Sequence, residues 1–148
     1  MEVKVSIRRA VLNDAVETAA LFTAAQKSMT FFPKLHSEEE DRAYVRDFIW
    51  EDETWLALSD GRVIGLACIE GDRLAHLYVH PAFHDRGAGS ALLAVVKALR
   101  PNGFDLWTFQ ANKGARRFYE RHGLEIVEFT DGSRNEERLP DVRYPWLG

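Results

Sequence analysis

Short stretches in which apolar and polar residues alternate recur along the chain, and this period of two is typical of strands that bury one face. The first of them carries Val3, Val5 and Ile7. Strands are predicted near residues 3–7, 55–59, 62–70, 74–79, 104–109, 124–130 and 142–146. Asp60-Gly61 is a strong hairpin signal between the second and third strands. Pro81 ends the fourth strand, because proline cannot donate a hydrogen bond to a central ladder.

The first two helices are predicted from their start signals. Asn13 or Asp14 can cap an alanine-rich helix that runs to about residue 27. Ser37 followed by Glu40 is the signature of a capping box, and it opens a second helix that runs to about residue 50. Both helices therefore precede the predicted hairpin.

Two further helices are predicted in the second half of the chain. Apolar residues recur at intervals of three and four over residues 88–99, which places them on one helical face. Asn112 can cap the last helix, whose apolar face carries Ala115, Phe118, Tyr119 and His122, and Gly123 is suited to end it. The order β-α-α-β-β-β-α-β-α-β-β predicts a mixed α/β domain with helices packed on a central sheet.

Length and composition narrow the class of protein. The chain has 148 residues, of which 46% are hydrophobic and 28% charged, and this predicts one soluble globular domain over residues 1–148. Cys68 is the single cysteine, so no disulfide forms within the chain and a reducing compartment is favoured. The sequence contains neither an 18-residue apolar stretch nor a signal-peptide core in its first nine residues. We therefore expect a cytoplasmic protein without a membrane partner.

The net charge of −4 conceals an uneven distribution along the chain. Residues 36–72 hold eleven acids and three arginines, a local −8, whereas residues 84–122 hold three acids and seven basic residues, a local +4. The mildly acidic total argues against nucleic acid as a partner. The two stretches are either ordinary solvated faces or separate half-sites for a cation and an anion.

A glycine-rich loop precedes the most regular helix. Its sequence is Arg86-Gly87-Ala88-Gly89-Ser90. Glycines let backbone N–H groups approach a ligand closely, and the helix start adds unpaired N–H donors and partial positive charge. The combination predicts a phosphate or pyrophosphate site. Neither a P-loop nor a dinucleotide-binding fingerprint is present, since no Lys-Ser/Thr follows the glycines and Leu92 occupies the third glycine position.

Two motifs in this part of the chain resemble those of the GNAT N-acetyltransferases. The first runs from Leu77-Tyr78-Val79-His80-Pro81 to His84-Asp85-Arg86-Gly87-Ala88-Gly89-Ser90, and the second is Asn112-x-x-Ala115-x-x-Phe118-Tyr119-x-x-x-Gly123-Leu124. The resemblance extends from about residue 3 to residue 127. It implies the GNAT fold, with a mixed, mostly antiparallel central sheet of about six to seven strands. About four helices flank that sheet, and two strands splay apart at the cofactor site.

The resemblance also implies acetyl-CoA as co-substrate and assigns residues to it. The cofactor-binding residues would be Leu77, Tyr78, Val79, His84, Asp85, Arg86, Gly87, Ala88, Gly89, Ser90, Asn112 and Tyr119. In the family the pantetheine arm lies between the splayed strands and the loop amides hold the pyrophosphate. His84 departs from the Gln or Arg usual at its position, so cofactor affinity could depend on pH near the ordinary pKa of histidine, about 6.5.

Three residues are candidates for the chemistry. Tyr119 matches the family tyrosine that often protonates the departing CoA thiolate, and its alternative is a core aromatic residue. An alkylamine must lose a proton before it attacks, and His76 and Glu70 are the candidate bases. Each has a plainer alternative, as an ordinary strand histidine and as a charge beside a turn. We expect direct transfer to a primary amine in a ternary complex.

The acceptor site is implied at the start of the second helix and in the late loop. His36, Glu40 and Glu136 are the candidate acceptor-binding residues, and helix capping or solvation are their alternatives. The acceptor could be a small amine, a protein N-terminus or a lysine, and a regulatory CoA-binding module without catalysis is the rival from another class. No metal is expected, since nothing completes a zinc set around His76, His80 and His84. A homodimer could form if residues 142–146 were an edge strand.

Overall fold

The computed structural model describes residues 4–84 and 86–148, and over them the chain forms one seven-stranded sheet with four α-helices. The sheet order is β1-β2-β3-β4-β5-β7-β6. The strands are Ser6–Arg9 (β1), Glu53–Ser59 (β2), Arg62–Glu70 (β3), Arg73–Val79 (β4), Phe104–Phe109 (β5), Glu128–Phe129 (β6) and Asp141–Trp146 (β7). The helices are Ala15–Ser28 (α1), Glu38–Glu51 (α2), Ala88–Leu99 (α3) and Lys113–Arg121 (α4). Val3, which the first predicted strand includes, lies outside the described residues. The predicted order of strands and helices is confirmed.

Local signals in the sequence set most of the boundaries. Ser37 and Glu40 form both hydrogen bonds of the predicted capping box, at 3.1 Å each, so α2 begins as expected. The β2–β3 hairpin turns at Asp60 and Gly61, whose φ angles of 50° and 75° are those of a type I′ turn. Pro81 follows the end of β4 and opens a short 3₁₀ turn.

The one parallel pair of neighbouring strands separates almost at once. β1 to β4 form an antiparallel meander, and β5, β7 and β6 are also antiparallel to one another. Between them, β4 and β5 run parallel and pair at Arg73 and Asp105 only. The two strands diverge beyond that point, so a gap opens between them toward the end of β4, as the family resemblance implies.

A hydrophobic core lies on each face of the sheet. α3 and α4 cover one face with a core that includes Leu92, Val96 and Leu106. α1 and α2 cover the other face, where Phe22 and Val45 pack against the sheet. Successive residues of a strand point to opposite faces, so the end of β4 contributes to both cores and to the gap between them.

The strand predicted over residues 124–130 is wrong for most of its length. Only Glu128–Phe129 forms β6. The N–H of Leu124 donates to the Tyr119 carbonyl at 3.0 Å, and that of Gly123 donates to Glu120 at 3.1 Å. This Schellman arrangement ends α4 and uses backbone donors that a longer strand would need.

The predicted edge strand near the end of the chain is also wrong in its position. β7 lies between β5 and β6, and its Val142 is fully buried. The two-residue β6 occupies the sheet edge instead. Because β6 pairs with Val142 and Arg143, these two residues are not available as an edge for the predicted homodimer.

Within the described residues, no helix combines the length and apolar character that crossing a membrane would require.

Candidate active site

The gap between β4 and β5 widens into a cavity of about 1370 Å³. Its walls come from the end of β4, the loop before α3, the first turns of α4 and the segment joining α1 to α2. Most of the predicted site residues line it: His36, Glu40, His76, Leu77, Tyr78, Val79, His84, Gly87, Ala88, Gly89, Ser90, Asn112, Tyr119 and Glu136. One continuous space therefore holds predicted site residues that are separated by up to 100 positions in the chain.

The glycine loop forms the floor at one end of the cavity. Gly87 is the N-cap of α3 with φ of 84°, a left-handed conformation that favours glycine. A Cβ at Gly89 would stand 3.3 Å from two ring carbons of Phe118, so a larger side chain there would displace the ring. Arg86 is exposed and does not line the cavity, and Asp85 lies outside the described residues. The unpaired amides at the start of α3 suit an anion.

His84 ties the glycine loop to the end of β4. Its Nε2 lies 3.1 Å from the carbonyl oxygen of Val79, which can only accept, so the ring nitrogen donates. The departure from Gln or Arg at this position thus places a hydrogen-bonded imidazole at the cavity wall.

Asn112 has the cap role that sequence predicts and a second contact besides. Its side-chain oxygen accepts from the Ala115 amide at 3.1 Å and begins α4. Its Nδ2 donates to the Met29 sulfur at 3.6 Å, which links α4 to the end of α1. The residue lines the cavity while it holds these two elements together.

Tyr119 is a buried residue of α4 whose ring faces the cavity. Its ring packs 5.3 Å from Phe118 and 5.7 Å from Tyr144, between ring centroids. Its hydroxyl forms no hydrogen bond with any residue that the structure describes. Burial raises the pKa of Tyr119, so the hydroxyl keeps its proton at neutral pH and is available as a donor.

His76 lies on the other face of the sheet in an aromatic surrounding. A register shift between Cys68 and Ile69 leaves Ala75 unpaired, and a bulge of this kind re-aims the neighbouring side chain. The His76 ring is 5.3 Å from Phe48 and its Nε2 is 2.8 Å from the Tyr44 hydroxyl. The sequence did not indicate Tyr44 as a site residue. It is half-exposed on α2, and its spacing in the helix does not distinguish it from an ordinary surface residue.

Burial lowers the pKa of His76 to about 4, and the nearby charge of Arg73 acts in the same direction. The folded protein therefore keeps the ring neutral where the unfolded chain, with a pKa near 6.5, would protonate it. The stability from this group is present above pH 6.5 and is lost as pH falls toward 4.

We expect this linkage to remove on the order of 3 kcal/mol of unfolding free energy between pH 6.5 and pH 4. Urea unfolding of the wild type and of His76→Phe across that range measures it, because the substitution removes the titrating group. The wild type should lose about that much more unfolding free energy than His76→Phe as pH falls over this range. A constant difference in stability between the two proteins would contradict the lowered pKa.

Glu70 does not reach the main cavity. It is exposed at the end of β3 and borders a second cavity of about 290 Å³, together with Glu51, Asp52, Cys68 and others. Tyr44 and His76 line both cavities, so their hydrogen-bonded pair stands between the two spaces. Of the two candidate bases, His76 therefore borders both cavities, whereas Glu70 borders only the second.

His36 brings the predicted acceptor residues together. Its Nε2 is 2.5 Å from a Glu136 carboxylate oxygen, and its Nδ1 is 3.4 Å from Glu40. The contact joins the α1–α2 segment to the loop before β7 at the cavity wall. The hydrogen bond to Glu136, and then that to Glu40, raises the pKa of His36. The charged contact is complete at low pH and weakens as pH rises through that raised value.

The two charged stretches of the sequence meet in the cavity. Glu40, Asp41 and Asp47 line it from the acidic stretch, and Lys113, Arg117 and Arg121 line it from the basic one. Asp41 is buried and accepts a hydrogen bond from Thr23 at 2.7 Å. The glycine loop and the basic residues of α4 thus belong to the same cavity as the acidic wall.

Comparison with known proteins agrees with this geometry. The family model described as Acetyltransferase (GNAT) family matches residues 20–124. The chain is 33% identical over 104 residues to the peptidyl-lysine N-acetyltransferase YiaC of Escherichia coli, and the match covers 69% of each chain.

Solved structures share the fold at lower identity. A GCN5-related N-acetyltransferase from Rhodopseudomonas palustris superposes with a TM-score of 0.84 at 22% identity, over 100% of this chain and 99% of the other. RimL, a ribosomal L7/L12 alpha-N-protein acetyltransferase solved in complex with coenzyme A, gives a TM-score of 0.76 at 13% identity, over 97% and 93%. With its family model matched over most of its length, the chain belongs to the GNAT family and is an acetyl-CoA-dependent N-acetyltransferase.

Proposed function

We propose that this protein transfers the acetyl group of acetyl-CoA directly to a primary amine in a ternary complex, with Tyr119 as the general acid for the departing thiolate. One observation carries the proposal. The glycine loop, Tyr119, His76 and the acidic wall border one cavity, and Tyr119 and His76 approach it from opposite faces of the sheet. That arrangement suits an acid and an amine-binding group on either side of the reacting carbonyl.

The cavity has the features that acetyl-CoA needs. The positive-φ turn at Gly87 and the close approach of Phe118 to Gly89 leave the amides of residues 87–90 open to a pyrophosphate. The gap between β4 and β5 exposes backbone groups at Leu77 and Val79 to the pantetheine arm. Bound acetyl-CoA supplies an activated acetyl thioester, and the chain's own residues orient the amine and move protons.

A covalent route through cysteine has no support. Cys68 is fully buried in β3, and burial raises the pKa of its thiol to about 12. The thiolate is the nucleophilic form of cysteine, and it is negligible under those conditions. Direct attack by the amine on the thioester is therefore the favoured route.

We assign the amine proton to the wall formed by His76 and Tyr44. A neutral imidazole with a pKa of about 4 is a weak base, so His76 holds the proton only transiently and passes it on. The second cavity, bordered by Glu70 and Asp52, leads away from Tyr44 and His76. The ammonium acceptor loses two protons overall, one before attack and one as the amide nitrogen forms. The first leaves in this direction, and the second restores the proton that Tyr119 donates to the thiolate, so that one proton is released per acetyl transfer.

A peptide amine is the acceptor class that we favour. The acidic wall at Glu40, Asp41 and Asp47 attracts a cationic amine. The relative YiaC is named as a peptidyl-lysine N-acetyltransferase. A thiol-release assay with lysine peptides, peptides with a free N-terminus, and small amines tests the class. Turnover on lysine peptides is expected, and turnover on small amines alone would refute the peptide assignment. Binding of acetyl-CoA without turnover on any acceptor would favour a regulatory module.

Glu136→Gln should raise KM for a lysine peptide by about 2- to 5-fold and leave kcat nearly unchanged, since an exposed charge contributes up to about 1 kcal/mol. Steady-state kinetics with the peptide measures the effect. Glu39→Gln is the matched control, because Glu39 carries the same charge in the first turn of α2 but does not line the cavity. Equal KM values for both variants would remove Glu136 from the acceptor site.

A further inference from the structure

A chain of hydrogen bonds connects α4 to the glycine loop. His122, the residue that follows α4, places its Nδ1 2.8 Å from the carbonyl oxygen of Phe118 and its Nε2 3.0 Å from the Ser90 hydroxyl. A carbonyl oxygen only accepts, so Nδ1 carries the proton. In the neutral ring Nε2 then holds a lone pair, and the Ser90 hydroxyl must donate to it.

The packing around the ring keeps this geometry in place. The His122 ring lies 4.4 Å from the Phe118 ring, between centroids, and Phe118 in turn packs against Gly89. Ser90 stands in the first turn of α3 and lines the cavity next to Gly89. Histidine and serine are therefore held together at the edge of the predicted phosphate site.

The direction of the Ser90 hydroxyl depends on the protonation of His122. With a neutral ring, the hydroxyl proton is directed to Nε2, and Ser90 presents only lone pairs to the cavity. With a protonated ring, Nε2–H donates to the Ser90 oxygen, and the hydroxyl proton is free to donate to an anion. The protonated ring also brings a positive charge close to that anion.

We propose that His122 is a positioning residue that couples proton uptake to the binding of a CoA phosphate group, through the hydroxyl of Ser90. The inference rests on the proposed placement of acetyl-CoA at residues 87–90. A phosphate at this loop favours the protonated ring, and by linkage a proton on His122 favours the phosphate. Acetyl-CoA affinity should then be higher when the ring is protonated than when it is neutral.

The charged groups around His122 on the described residues are cationic. Lys97 of α3 donates to the His122 carbonyl at 3.1 Å, and Arg121 of α4 stands over the Phe118 ring at 5.9 Å. No carboxylate of the described chain lies within ion-pair distance of the ring. A bound anion thus supplies negative charge that the surrounding helices do not.

Calorimetric titration with CoA in buffers of different ionisation enthalpy gives the number of protons taken up on binding. A tenfold rise in the proton affinity of one group corresponds to a maximal uptake of about 0.5 proton. We expect wild type to take up protons on this scale, and His122→Gln to take up far fewer, because an amide does not titrate. His80→Gln is the matched control, since His80 caps a 3₁₀ turn and does not line the cavity.

The variants distinguish failure of this inference from failure of the proposed function. Tight CoA binding with the same proton uptake in wild type and His122→Gln overturns this inference alone. Absence of CoA binding by the wild type overturns the proposed function together with it. Ser90→Ala tests the other end of the contact and is expected to lower both the uptake and the pH dependence of affinity. Unchanged values in that variant would overturn the role given to the hydroxyl.

Discussion

Replacement of Tyr119 with phenylalanine is expected to lower kcat by about 10- to 100-fold and to leave KM for both substrates nearly unchanged. The hydroxyl of this buried residue lines the cavity without a partner among the described residues, and burial of the residue raises its pKa. It therefore keeps a proton for the thiolate leaving group at every pH near neutrality. A thiol is itself a fair leaving group, with a pKa near 8.5, which limits the gain from protonation. Steady-state kinetics with a lysine peptide and acetyl-CoA measures the change.

Tyr144→Phe is the matched control for this substitution. Its ring lies 5.7 Å from that of Tyr119, but Tyr144 does not line the cavity and its hydroxyl donates to Glu120 at 2.6 Å. That variant should lose about 1.5–3 kcal/mol of unfolding free energy and keep its kcat. Tyr119→Phe should instead keep its unfolding free energy and lose kcat. Equal kcat values for the two variants would show that Tyr119 is a core aromatic residue.

Gly89→Leu is expected to weaken acetyl-CoA binding by about 100-fold or more. A Cβ at this position would already stand 3.3 Å from the Phe118 ring, and a leucine side chain would extend into the cavity beside the loop amides. Loss of two charge-assisted hydrogen bonds costs about 3 kcal/mol at the least, which is more than a hundredfold in affinity. Calorimetric titration with CoA measures this loss.

Ala94→Leu is the control for this substitution, because it adds the same side chain to the exposed face of α3. Its CoA affinity should equal that of the wild type. Thermal unfolding of both variants shows whether α3 stays packed on the sheet. Wild-type affinity in folded Gly89→Leu would move the pyrophosphate away from this loop.

Much of the fold follows from signals that act over a few residues. The capping box at Ser37, the turn at Asp60 and the period of three and four over α3 each depend on neighbours in sequence, and each element lies where the pattern predicts it. The strand predicted over residues 124–130 fails because the amides after Gly123 bond to the end of α4. An apolar run does not reveal that competition.

The site residues likewise divide into those that belong to local motifs and those that gain their partners from distant segments. The glycine loop and Tyr119 belong to compact motifs, so the sequence alone indicates them as candidates, and the structure places both on one cavity. Tyr44 and His122 could not be recognised, since each gains its partner from a distant segment: His76 for the first and Ser90 for the second. The contact of His36 with Glu136 spans 100 positions, and only the folded chain brings the two residues together. Burial similarly gives His76 a pKa of about 4, which its position in a strand does not indicate.

A crystal structure of the protein with CoA and a lysine peptide is the most direct test of the central claim, that one cavity holds the cofactor on the glycine loop and the amine between Tyr119 and His76. We expect pyrophosphate oxygens about 3 Å from the amide nitrogens of residues 87–90, and the CoA sulfur within hydrogen-bond reach of the Tyr119 hydroxyl. A pyrophosphate bound elsewhere, or a sulfur remote from Tyr119, would contradict it.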